Sequence, residues 1–245
     1  MVNQVIRIGV ANNFNGTDLE FEQVEHFSFT MPEKSFFVNS NINSKELKNI
    51  GNYSFKSVIT VNPDLVVKSI PSIIKRIEAI KSTIAFVRVK YLPNNESILN
   101  LIYTLNKQGY PIVITNQRFS SKISCSKYSS LEYYKFSNGY LRLTDIELNN
   151  LYKIVDSLSN VFICDRNKKG CGDCGLCSTL TIGENLPVSS LNLSSSGICP
   201  FNCPDCFAKR SQHQYKDKVT GKVKISFDTI AKNMKQKGTL KQYQK

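Results

Sequence analysis

VITVNPDLVVKSIPSIIKRIEAIKSTIAFVRVKYLPNNESILNLIYTLNKQGYPIVIT, residues 58–115, decides the fold class. Residues 58–61 form a short apolar run that stops at Asn62-Pro63. Over 64–81 the residues Leu65, Val66, Ile70, Ile73, Ile74, Ile77 and Ile80 then recur at steps of three and four. A strand and a helix are predicted, with Pro71 as a kink or a division into two short helices. Residues 84–90 are again β-branched and apolar, 94–108 carry Ile98, Leu101, Ile102 and Leu105 on one helical face, and 111–115 form a third apolar run. This β-α-β-α-β order signals a parallel sheet with covered faces and right-handed crossovers. The C-terminal strand ends then share one edge. Asn62, Tyr91, Asn116, Gln117 and Arg118 are thereby placed near one mouth, where α/β folds and barrels concentrate their chemistry.

On the N-terminal side, residues 4–11, 25–30 and 36–39 read as short strands between Asn, Gly and Pro turns, the flank of a sheet. On the other side, residues 119–142 are rich in Ser, Tyr and Lys, with Asn138-Gly139 as a turn signal, and read as a loop or hairpin insertion. Thr144 and Glu147 have capping-box spacing before a helix over 144–158, and 161–164 is a further buried strand ending on Cys164.

A chain of 245 residues with 41% hydrophobic residues has ample material for a core. No apolar run approaches the roughly 18 to 20 residues of a membrane span, and no export signal opens the chain, so a soluble cytoplasmic protein without membrane contact is expected. The formal charge of +13 is uneven: residues 209–245 hold 11 Lys/Arg against Asp217 and Asp228. That basic tail could contact nucleic acid or be a solvated terminus. Within it, residues 227–237 place Phe227, Ile230, Ala231 and Met234 on one side of an amphipathic helix.

In a reducing compartment clustered thiols hold metal or do redox chemistry. Of the 8 cysteines, Cys125 stands apart as a buried filler, and the other seven fall between Cys164 and Cys206. Cys164, Cys171, Cys174 and Cys177 are spaced C-x6-C-x2-C-x2-C, enough to close one site as either a four-thiolate zinc centre or an iron–sulfur cluster. Gly170, Gly172 and Gly175 supply the positive φ that a tight knuckle needs. Cys199, Cys203 and Cys206 form a C-x3-C-x2-C triplet, whose three ligands leave one position of a cubane cluster open. A zinc site completed by Asp205 or His213 satisfies the same triplet. Lys90 and Arg118 could hold an anionic substrate or a cofactor carboxylate, or be solvated strand-end charges.

The triplet resembles that of the radical S-adenosylmethionine superfamily, where it follows the first barrel strand, leads into a helix, and holds a [4Fe-4S] cluster whose unique iron chelates the cofactor. Residues 189–193 are the corresponding strand here. Because the triplet lies near the C-terminus, the chain looks like bacterial and phage radical-SAM-like proteins of circularly permuted type, over about residues 58–208. The resemblance implies an α/β fold, a partial, permuted parallel (β/α) barrel with a cysteine-rich metal-binding segment. Residues 1–56 are then a β-rich flank, 57–208 the barrel-like core with metal sites over 164–206, and 209–245 the basic tail. It also implies a radical enzyme that reductively cleaves S-adenosylmethionine to act on an unknown substrate. A reductase or flavodoxin-like donor would supply the electron, and the second cysteine site would hold another iron–sulfur cluster or zinc. Asn62, Asn116 and Arg118 at the mouth are the candidate cofactor contacts, with Phe207 supplying a ring from the position after Cys206, since Asp205 stands where that family usually has an aromatic residue. The alternative is a non-enzymatic zinc or iron–sulfur module contacting nucleic acid through the tail.

Overall fold

The computed structural model describes residues 4–8, 18–30, 32–63, 69–119, 121–137, 140–164, 174–186 and 188–191. The chain forms an α/β structure around a seven-stranded, wholly parallel sheet. Its strands are β1 Gln4–Ile8, β2 Lys34–Asn41, β3 Lys56–Val61, β4 Ile84–Tyr91, β5 Ile112–Asn116, β8 Val161–Ile163 and β9 Val188–Leu191, while β6 Tyr134–Ser137 and β7 Tyr140–Leu143 make a separate antiparallel hairpin. The spatial order is β8-β5-β4-β3-β2-β1-β9. Each strand of the parallel sheet therefore lies beside its predecessor in the sheet, except that the last, β9, lies beside the first. Among the described residues no pairing joins β8 to β9, so the sheet is open there.

One face carries the main core. Ile6, Ile8, Val38, Ile59, Val61, Val87, Val89, Ile112 and Ile114 meet apolar residues of α1 Asp18–Thr30, α2 Ile70–Glu78, α3 Glu96–Lys107 and α5 Asp145–Asp156 there. Their stripes do the work: Ile73 and Ile77, then Ile98, Leu101, Ile102 and Leu105, then Leu151 and Val155 are the buried positions of α2, α3 and α5. Side chains cap these helices where expected. Asn95 Oδ1 accepts from Ile98 N at 3.0 Å, and Thr144 Oγ1 accepts from Glu147 N at 3.4 Å. Pro71 does not kink a long helix but sits in the first turn of α2, behind the cap Ser69, where its missing N–H costs nothing.

The N-terminal flank corrects another expectation, since residues 25–30 are not a strand but the second half of α1. Aromatic and β-branched content suggested extended chain, yet Phe21 and Val24, one turn apart, are both buried, and Phe21 meets Tyr53 and Phe55 at ring separations of 5.1 and 5.8 Å. Tertiary contact overrides local preference there. The insertion after β5 contains the short helix α4 Lys122–Ser126 and the β6–β7 hairpin, with the predicted turn at 138–139 outside the described residues. Cys125 is fully buried in the main core, and burial pushes its thiol pKa up, as suits an inert filler.

Among the described residues no helix is long and apolar enough to cross a membrane.

Candidate functional site

The opposite face of the sheet, here the inner face, changes character along the strands. At its N-terminal half Val5, Phe37, Val58, Phe86, Val113 and Val188 form a second apolar cluster. Register then carries the same face into polar side chains: Asn41 pairs with Thr60, Thr60 with Arg88, and Lys90 with Thr115. The cause is period two, because β2 ends Phe-Val-Asn-Ser-Asn and β4 runs Phe-Val-Arg-Val-Lys, so every second residue switches from apolar to polar while the alternate ones stay buried against helices. Since the strands are parallel, the polar halves gather at one edge. It is the edge predicted from the sequence.

Among the described residues, one short helix lies on this face. α6, Leu176–Ile182, packs Leu176, Cys177, Leu180 and Ile182 against the apolar floor together with Cys164. Gly175 makes the entry possible, since it caps the helix at φ 65° and a Cβ there would overlap the Asn185 amide. Ser178 holds the exit: its buried Oγ accepts from Leu186 N at 3.0 Å and lies 2.6 Å from Gly175 O and 2.7 Å from Leu186 O. The segment is thus clipped to itself and laid across the floor. Gly170 and Gly172, given the same role from sequence, lie outside the described residues.

Arg88 ties the helix to the sheet. Its Nη1 donates to Asn39 Oδ1 at 3.1 Å, its Nη2 reaches Cys177 Sγ at 3.9 Å, and its guanidinium carbon stands 5.5 Å from the Phe86 ring centroid. A planar, permanently charged fork resting on an aromatic ring suits a half-buried position better than a lysine would. Asn39 is itself 4% exposed, so the bond that orients Arg88 is shielded from water.

The predicted site residues divide in two groups. Asn62 follows β3 and, by continuation of its register, falls on the inner face beside Lys90; Asn62 Oδ1 and Thr115 Oγ1 are buried without a hydrogen-bond partner. Asn116 shares the edge but not the face: it pairs with Tyr91, which belongs to the helix-covered core. Arg118 is exposed two residues further on. Phe207 and the expected ligands Cys171, Cys199, Cys203 and Cys206 lie outside the described residues, as does the basic tail over 209–245. Cys164, Cys174 and Cys177 are partly buried, and among the described residues no three His, Cys, Asp or Glu side chains are gathered as a metal site. Their donor chemistry, cysteine sulfur, is of the kind that suits a thiophilic centre.

Sequence reading did not single out Arg88, Asn39, Asn41, Thr60 or Thr115. The signal was there: polar residues in alternate positions at the ends of strands that are otherwise apolar. No family model, curated protein or solved structure matches the chain.

Proposed function

We propose that the chain is an iron–sulfur enzyme of the radical S-adenosylmethionine type, built on a circularly permuted, partial (β/α) barrel and working in the cytoplasm. The observation that carries this reading is the place of β9. The strand that feeds the cysteine triplet is last in the sheet by chain order and first in space, parallel to β1 through the pairs Val5–Val188 and Ile8–Leu191. From β9 the strands run on as β1, β2, β3, β4, β5 and β8, the order of a barrel whose first strand precedes the metal loop. The inner face would then be the barrel interior, and its polar half the mouth into which the triplet loop opens.

In this reading Cys199, Cys203 and Cys206 hold the cluster with the open iron, and Cys164, Cys171, Cys174 and Cys177 hold a second iron–sulfur or zinc centre. When bound, the first cluster supplies the electron for reductive cleavage of S-adenosylmethionine, received from a reductase or flavodoxin-like donor. The chain's own residues orient and insulate: the floor of Phe37, Val58, Phe86 and Val113 excludes water below the mouth, and Arg88, fixed by Asn39, holds charge above it.

The test is anaerobic purification of the full chain with iron, acid-labile sulfide and zinc analysis, then reduction in the presence of S-adenosylmethionine. A brown protein with more than one cluster's worth of iron is expected, which cleaves the cofactor slowly and loses that activity in Cys203→Ala. Stoichiometric zinc without sulfide would sink the reading in favour of a zinc module, with the basic tail as its nucleic-acid contact.

A further inference from the structure

The insertion between β5 and β8 differs from the rest of the chain in charge. Residues 118–143 carry Arg118, Lys122, Lys127, Lys135 and Arg142 against Glu132 alone, whereas the rest of residues 1–208 is balanced at 16 Lys/Arg against 16 Asp/Glu. Rings are concentrated in the same stretch: Phe119, Tyr128, Tyr133, Tyr134, Phe136 and Tyr140. Two of them stand largely in water, Tyr128 45% exposed and Phe136 67%. We propose that this insertion is a docking surface for single-stranded nucleic acid, separate from the basic tail and independent of which metal the cysteines hold.

The fold lines the rings up. Phe119 N donates to Leu141 O at 3.2 Å and Leu141 N to Phe119 O at 2.8 Å, and Leu141 pairs in turn with Phe136 across the hairpin. Directly paired residues point to one face, so Phe119, Leu141 and Phe136 form a row whose ends lie about 10 Å apart, two strand spacings. Phe119 and Leu141 are buried, and Phe136 carries the same face out into solvent. Tyr128 stacks on Phe119 with ring centroids 6.1 Å apart and planes at 14°. One side of the Tyr128 ring is thereby covered and held, and the other is the exposed one. A fixed ring with a bare face is a platform for an unpaired base, and a second ring a short step away takes another. Lys122 on α4 and Lys127 beside Tyr128 are exposed and make no ion pair, ready for the phosphates between such bases, while Lys135 is engaged by Asp145 on the opposite face of the hairpin. A duplex hides its base faces inside the stack, and an acidic peptide would satisfy the lysines but not the rings.

The experiment is fluorescence anisotropy of short labelled oligo-dT and oligo-U with the full chain over a range of salt concentrations, with a duplex of the same length and oligoglutamate as the alternative probes. Saturable binding of at least one single strand, tighter than of the duplex, is expected. Phe136→Ala and Tyr128→Ala should each weaken it about fivefold or more, the loss of one stacked base, and Lys127→Gln should lower the log–log salt slope by about 0.7. Phe29→Ala, which removes a similarly exposed ring from α1, should leave it unchanged. Phe136 and Lys127 are exposed, so their variants keep the test open if Tyr128→Ala fails to fold. The tail is present in every variant, so unchanged affinity in both Phe136→Ala and Tyr128→Ala would assign the binding to the tail and overturn the surface. Absence of binding, or a duplex bound as tightly as the single strands, overturns it as well. So does oligoglutamate bound more tightly than either oligonucleotide, which would make the partner an acidic protein.

Discussion

On the helix-covered face of the sheet, β4 contributes Val87, Val89 and Tyr91, all buried to the strand's end, whereas on the inner face the same strand contributes Phe86, then Arg88, then Lys90. One backbone thus serves two environments 180° apart. The helix side spends its whole length on packing, while the inner side keeps half its length for packing and leaves the rest polar. The difference teaches where function can be accommodated without loss of stability: the main core of this protein does not pass through the mouth, so the polar residues there are free to be chosen for chemistry.

The comparison breaks most visibly in the main core. Leu101 is fully buried between α3 and the sheet, and Leu101→Ala should lower unfolding free energy by about 2 to 5 kcal/mol, read from urea denaturation. A loss below about 1 kcal/mol would mean that the helix face is not the principal source of stability. Next comes the strand end itself. Burial, with smaller contributions from Glu147 and Tyr103, holds the Tyr91 hydroxyl pKa up to about 12, against about 10 in an unfolded chain. Because the folded pKa is the higher one, this group's contribution to stability is complete below pH ~10 and is lost as pH rises through ~12, about 2 to 3 kcal/mol in all. Tyr91→Phe should flatten the alkaline limb of a stability–pH curve by that amount, leaving the part due to Tyr110 and Tyr134, also pushed up by burial. An unchanged limb would show that Tyr91 is hydrated.

The smallest effect sharpens the contrast between satisfied and unsatisfied polar groups. Thr83 Oγ1 donates to Ile80 O at 2.9 Å in a buried turn, so Thr83→Val should cost about 1 kcal/mol. Thr115→Val, at the mouth, removes a hydroxyl that has no partner and should be neutral or stabilising by up to about 1 kcal/mol. Equal costs for the two, in thermal or chemical unfolding, would place an unseen partner on Thr115.

Much of this architecture was legible because strong periodicity and clear caps agree: the helices at Ile73 and Ile77, at Ile98 to Leu105 and at Leu151 and Val155, and the strands between them, follow from apolar spacing alone. α1 was not legible, since Phe21 and Val24 sit among residues of weak amphipathic contrast and become helical by packing on Tyr53 and Phe55. The mouth was half legible. Strand-end polarity located Asn62, but which face a polar residue takes depends on register, so Asn116 was grouped with it although it lies beside Tyr91. Arg88 was missed because a single cation inside an apolar strand looks like an interruption until its neighbours Asn39 and Cys177, 49 and 89 residues away in sequence, are brought to it.

The pairing of β9 with β1 also has a kinetic meaning. Val5 meets Val188 some 180 residues away, whereas Gln4 meets Lys34 only about 30 residues away. With about 0.6 kcal/mol for each doubling of loop length, closing the long contact costs about 1.6 kcal/mol more than closing the short one. Strands β1 to β5 can zip neighbour by neighbour as the chain emerges, but β9 joins its partner β1 only after the long loop has closed, and like the three-residue β8 at the other edge it is held from one side only. The cysteine triplet begins eight residues after Leu191, so in chain order it follows the strand whose pairing spans the longest loop.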